Sequence, residues 1–161
     1  MQVALDVGCV LSVPVPEPAS YVAHVIRKRR GFIVVAAFEA TAENHPVGPP
    51  KLVAVTFDSL VKTGDWTIVG RRDPDPTIPV PVYKVPVSSE NAIYLQDVNG
   101  ELRRRADAEE AQHLFNPVTY SAAAFQKAVN QIARGEPLEA RFAPMVPNWE
   151  YCEQTLLHTS N

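Results

Sequence analysis

Four prolines at positions 74, 76, 79 and 81 constrain this chain more than any other feature. They lie in residues 66–83, which open with Trp66-Thr67-Ile68-Val69-Gly70, pass through Arg71, Arg72, Asp73 and Asp75, and end at Val82 and Tyr83. The first half has the composition of a short strand, with Trp66, Ile68 and Gly70 on one face. The second half cannot be a central strand, because each proline lacks the ladder donor and holds the backbone extended. A strand that leaves a core and then an extended run over the surface is the expectation. The pattern before this stretch predicts a β-meander, and the pattern after it ends in helices.

With 161 residues the chain fits a single domain, β-rich over 1–106 and helical over 107–135, with an extended tail over 136–161. Its 15 prolines favour a rigid, loop-rich β protein over a helical bundle. A formal charge of −3 weighs against a dedicated nucleic-acid or anionic-membrane binder. No segment approaches the roughly 20 apolar residues of a membrane-spanning helix. Cys9 and Cys152 lie far apart and in no Cys-x-x-Cys pattern, which predicts two separate thiols. Asp6 interrupts the first apolar run and no basic region precedes it, so no signal peptide is visible and a reducing cytoplasm is expected.

Residues 3–15 predict a strand bent at Gly8 and closed by Pro14 and Pro16. Residues 21–27 and 32–38 predict a hairpin around the basic turn 27–31, and the second arm, apolar on both faces, belongs at the centre of the sheet. Residues 39–51, with three prolines and a glycine, read as a long loop of the kind that carries function. Residues 52–57 resume a strand, Thr63-Gly64-Asp65 turns, and residues 83–87 and 93–97 are further strands. Asn99-Gly100 predicts a type I′ hairpin. The period then changes: Asp107 and Glu110 have capping-box spacing ahead of a helix over 108–115. A longer helix spans about 120–134, with Phe125, Ala128, Val129 and Ile132 as its apolar stripe and Gly135 as its stop. The tail packs back as extended chain through Met145, Trp149 and Tyr151, and its last residues fray. The fold class is α+β: a mainly antiparallel, strongly bent sheet or partly closed barrel of six to eight strands, with two C-terminal helices packed on it.

Residue chemistry reveals no catalytic constellation, metal site or cofactor motif. Histidines 24, 45, 113 and 158 are scattered, and none pairs with a second ligand at metal spacing. His24, between Val22 and Ile26 on a strand face, reads as a satisfied core histidine; His45, in the long loop with Glu43, is the better functional candidate. Asp73 and Asp75 read as solvated loop carboxylates suited to a protein contact surface. The basic clusters 27–30, 71–72 and 103–105 raise nucleic acid as a partner, but strand alternation lets only part of each form one patch.

The run Gly8-Cys9-Val10-Leu11-Ser12-Val13-Pro14, then Tyr21-Val22-Ala23-His24-Val25-Ile26, then Phe57, Leu60 and Trp66-Thr67-Ile68-Val69-Gly70, resembles the immunity protein 26 family of bacterial polymorphic-toxin systems. Cys9 stands where that family often has aspartate, and residues 15–20 form an insertion. The resemblance implies a non-enzymatic inhibitor that binds a cognate toxin domain in the cytoplasm, with no cofactor. The surface it would use is assigned to Glu39, Glu43 and His45, with Asp73, Asp75 and Tyr83. Two other readings stand beside it: a small β-barrel binding nucleic acid or a ligand, and a hydrolase using Asp73, Asp75 and His45.

Overall fold

A computed structural model describes residues 5–58 and 66–157, and these described residues form eight strands and three α-helices. They are β1 (Cys9–Val13), β2 (Tyr21–Arg29), β3 (Phe32–Ala40), β4 (Pro46–Phe57), β5 (Thr67–Arg71), β6 (Tyr83–Val87), β7 (Ala92–Gln96), β8 (Leu102–Arg105), α1 (Ala108–His113), α2 (Ala122–Ala133) and α3 (Glu153–Leu156). The first residues of the strand expected over 3–15, the turn Thr63-Gly64-Asp65, Leu60, His158 and the expected frayed end lie outside the described residues. The chain divides into two compact units, Met1–Ile78 with Thr119–Val146, and Pro79–Val118 with Pro147–Asn161. The class is α+β and antiparallel, but the strands form two sheets instead of one. The cause is the proline stretch: Pro74, Pro76, Pro79 and Pro81 deny the chain the donors with which β5 could continue a ladder into β6.

The first unit holds a five-stranded antiparallel sheet in the order β4-β3-β2-β1-β5. The all-apolar run Ile33 to Phe38 of β3 lies inside it, buried between β2 and β4. Each Val, Ile or Phe so buried contributes about 1.5–3 kcal/mol relative to exposure, which makes β3 the centre of the unit's stability. β1 starts after Gly8 and is not bent at it. Gly8 has φ of 102°, and a Cβ there would lie 3.0 Å from the Arg72 carbonyl oxygen, so glycine is required both for the turn and for the close approach of β5.

α2 packs on β4 through Phe125, Ala128 and Val129. Ser121 Oγ accepts from the Ala124 N–H at 3.1 Å to start it. Gly135 at φ 70° ends it, with the N–H of Gly135 donating to Ile132 and that of Glu136 to Gln131, a Schellman closure. Trp66 stacks on Phe125 with centroids 5.8 Å apart and donates from Nε1 to Gln126 Oε1. Ile132, expected in the apolar stripe, is only half-buried; Gln131 is buried instead and satisfied by Glu139. A 3-10 turn, Ala140–Met145, then buries Phe142 and Met145, where an extended tail was expected.

The second unit holds the sheet β6-β7-β8 with α1 and α3 around a core of Val82, Leu95 and Leu114. The later prolines do not run over a surface as expected: Val80 and Val82 are buried, and Pro81 bridges to Cys152. The β7–β8 turn is not type I′. Gly100 alone has positive φ, the Gly100 N–H donates to the Asp97 carbonyl, and the Asp97 carboxylate accepts from the N–H groups of Asn99 and Glu101. The expected capping box is present: Asp107 Oδ1 accepts from the Glu110 N–H, and Glu110 Oε1 accepts from the Asp107 N–H. α2 belongs to the first unit and α1 to the second. Both cysteines are buried free thiols. Among the described residues no helix is long and apolar enough to cross a membrane.

Candidate partner-binding surface

The segment read as a long loop, 39–51, is a hairpin end. β3 runs to Ala40 and β4 starts at Pro46, pairing Ala40 with Pro46 and Glu39 with Val47. Prolines 46, 49 and 50 are tolerated because β4 is a terminal strand of the sheet, where one edge needs no ladder donors. The turn itself is Thr41 to His45. The Thr41 N–H donates to the His45 carbonyl at 2.9 Å, Thr41 Oγ1 accepts from the His45 N–H, and Asn44 takes φ 64°. Glu39, Glu43, His45 and Val47 are exposed along this end.

Arg72, just past β5, reaches it. Its Nη2 donates to His45 Nδ1 at 3.3 Å. A guanidinium only donates, so Nδ1 is the acceptor in this contact. The Arg72 backbone is pinned from the other side: its N–H donates to the Gly8 carbonyl, and its carbonyl accepts from His24 Nε2 at 3.0 Å. His24 is 3% exposed on β2, and burial pushes its pKa down, opposed by the hydrogen bond to Arg72. It is a satisfied core histidine, as its place between two apolar residues predicts, bonded to the Arg72 backbone.

Asp73 and Asp75 follow Arg72 in the chain. Both are exposed. Asp75 Oδ1 accepts from the N–H and hydroxyl of Thr77 at 2.9 and 2.7 Å, and these bonds hold its carboxyl below the usual aspartate range. Of the six assigned residues, the first unit thus holds Glu39, Glu43, His45, Asp73 and Asp75. Tyr83 lies in β6 of the second unit and is 6% exposed. Sequence reasoning missed Arg72 as the joint of this surface. Its only sequence signal was membership of the pair Arg71-Arg72; the partner is 27 residues away and visible only in three dimensions.

The basic clusters have separate fates. In the second unit Arg103 pairs with Asp97 at 3.0 Å, Arg104 with Glu110 at 2.7 Å and Arg105 with Glu90 at 3.5 Å. In the first, Lys28 pairs with Asp6, Arg27 donates to the Ile26 carbonyl and Arg29 lies over Phe32. Among the described residues no group of three His, Cys, Asp or Glu side chains is placed to hold a metal. Comparison with protein-family models, curated proteins and solved structures finds no match for this chain.

Proposed function

We propose that the chain is a non-enzymatic immunity protein that binds and neutralises a cognate bacterial toxin domain in the cytoplasm, using the hairpin end around Glu39, Glu43 and His45 together with Asp73 and Asp75. The observation that carries this reading is the Arg72 to His45 hydrogen bond. It links the exposed hairpin end, with Glu39 and Glu43, to the exposed segment that carries Arg71, Arg72, Asp73 and Asp75, and a charged rim of this kind speeds protein association. The same contact supports a strongly bent sheet. β4 and β5 are the outermost strands, and four strand spacings in a flat sheet amount to about 19 Å, far beyond the reach of one arginine side chain. The resemblance of the β1, β2 and β5 sequences to immunity protein 26 supplies the partner class.

The test is co-expression of the chain with the protein encoded beside it in the genome. Co-purification and rescue of growth is the expected result; a neighbour whose toxicity is unaffected, with no complex, overturns the proposal.

A further inference from the structure

At the opposite end of β3 from the acidic hairpin end, three strands present one row of side chains: Arg29 on β2, Phe32 on β3 and Phe57 on β4, each paired directly with the next. The Arg29 guanidinium lies 4.9 Å from the Phe32 ring centroid, and the Phe32 and Phe57 rings are 5.5 Å apart. Phe57 is 45% exposed although it stands beside a core in which its neighbours on β4, Thr56 and Val55, are buried. Strand alternation places Arg27, which pairs with Val34, on the same face two residues further in, while Lys28 points to the opposite face and is tied to Asp6. Arg30 is exposed in the turn beside Gly31. Half-buried Asp58, whose N–H donates to the Gly31 carbonyl, adds an acidic side chain at this end, and exposed Asp6 is tied to Lys28.

We propose that the row Arg29, Phe32 and Phe57, flanked by Arg27 and Arg30, is a stacking platform for single-stranded nucleic acid. Two independent features meet there. An exposed aromatic ring on a terminal strand offers a π-face that any base can stack on, and arginines of the same row and the adjacent turn stand where the phosphates of a stacked strand would pass. A purely apolar occupant would strip water from the arginines without replacing it, whereas a polyanion with flat bases complements both. The formal charge of −3 weighs against nucleic acid only as an average; the strand period concentrates positive charge on this one face and leaves the carboxylates of 39–45 at the other end of β3.

The test uses the full chain and a fluorescein-labelled oligothymidylate of about 12 nucleotides, within the site size of small single-strand binders, followed by anisotropy at low and at physiological salt. Binding should weaken with salt, and Phe57→Ala should weaken it about tenfold or more. Arg29→Ala should flatten the salt dependence by about 0.7 in log–log slope. Phe57→Trp, which keeps a π-face, should retain binding and guards against a folding defect in the alanine variant, as does a melting curve of each. Absence of binding at low salt, or unchanged affinity in a folded Phe57→Ala protein, overturns the proposal. So does a self-association that Phe57→Ala abolishes while no oligonucleotide binds, since the occupant is then a second copy. None of these results depends on toxin neutralisation.

Discussion

The arginines of the two sheets are used in different ways. In the three-stranded sheet, three consecutive arginines of β8 each meet a carboxylate, and two of those carboxylates, Asp97 and Glu110, are themselves buried. In the five-stranded sheet, Arg29 rests on an aromatic ring, Arg72 donates to the His45 imidazole and His24 to a carbonyl, while Lys28 pairs with exposed Asp6. A buried carboxylate loses its hydration and needs its cation to remain stable, so the Arg103–Asp97 and Arg104–Glu110 pairs are structural. An exposed arginine that is not paired with a buried carboxylate keeps most of its charge for something else. The difference separates charge that holds the fold from charge available at a surface.

The strongest test of that distinction is Asp97→Ala. Asp97 is 3% exposed and its carboxylate serves two backbone N–H groups of the β7–β8 turn as well as Arg103. Its removal should cost about 2–4 kcal/mol in denaturant unfolding, because the turn donors are left without an acceptor. A loss below about 0.5 kcal/mol, the range of ordinary surface substitutions, would place Asp97 with the available charges. Glu110→Ala follows at about 1.5–3 kcal/mol, since it breaks a bidentate arginine pair and half of a capping box together.

Acid should separate the two sheets by pH window. Arg104 is the main reason that the Glu110 carboxyl titrates below its usual range. A carboxylate lowered on folding contributes stability above its unfolded pKa, near 4.3, and that contribution is lost as pH falls through the folded value. His24 is lowered by burial, so the unfolded chain takes up a proton that the folded one refuses. Its contribution is complete above about pH 6.5 and declines as pH falls from there toward the folded pKa. Stability measured from pH 7.5 to 5.5, a range set by the unperturbed histidine value of about 6.5, should therefore drop in the native chain and drop less in His24→Gln. Parallel curves would show that His24 is not held neutral.

Much of this arrangement was legible in the sequence wherever a local rule decided it. The central place of β3 follows from an unbroken apolar run, and the stop of α2 follows from Gly135, while its start could be capped by Thr119 or Ser121 and Ser121 does so. The same is true of the Asp107–Glu110 box. Where the outcome depended on position in a sheet, local rules misled. Prolines 46, 49 and 50 mark a loop in a central strand but are harmless in a terminal one, and nothing local to 39–51 says that β4 is terminal. Asn99-Gly100 has the composition of a type I′ turn, yet Asp97 captures the turn N–H groups and only Gly100 needs positive φ. Of the candidate surface, the exposed acidic residues could be picked out by composition. The Arg72 joint could not, because it needs β5 brought to the start of β4.

Arg29→Ala belongs at the weak end for stability. An exposed cation over a ring contributes about 0.5–1 kcal/mol, so the melting curve should barely move while oligonucleotide binding falls. A loss as large as that of Asp97→Ala would make Arg29 a structural clamp and erase the contrast between the sheets.

The smallest effect on folding and the sharpest on function should come from reversing Asp73 and Asp75 to lysine. Both side chains are exposed, and the Thr77 contacts of Asp75 are local to one turn, so unfolding free energy should change by less than about 0.5 kcal/mol. Rim charges act through the rate of encounter. Association with the toxin domain should slow, and the dependence of that rate on ionic strength should flatten, with dissociation little changed. An association rate that stays the same across salt would remove the proline segment from the interface and leave the hairpin end, Glu39 to His45, to carry recognition alone. A strong rise in dissociation instead would mean that these carboxylates are desolvated anchors. They would then resemble Asp97 and Glu110 more than the open charges of their own unit.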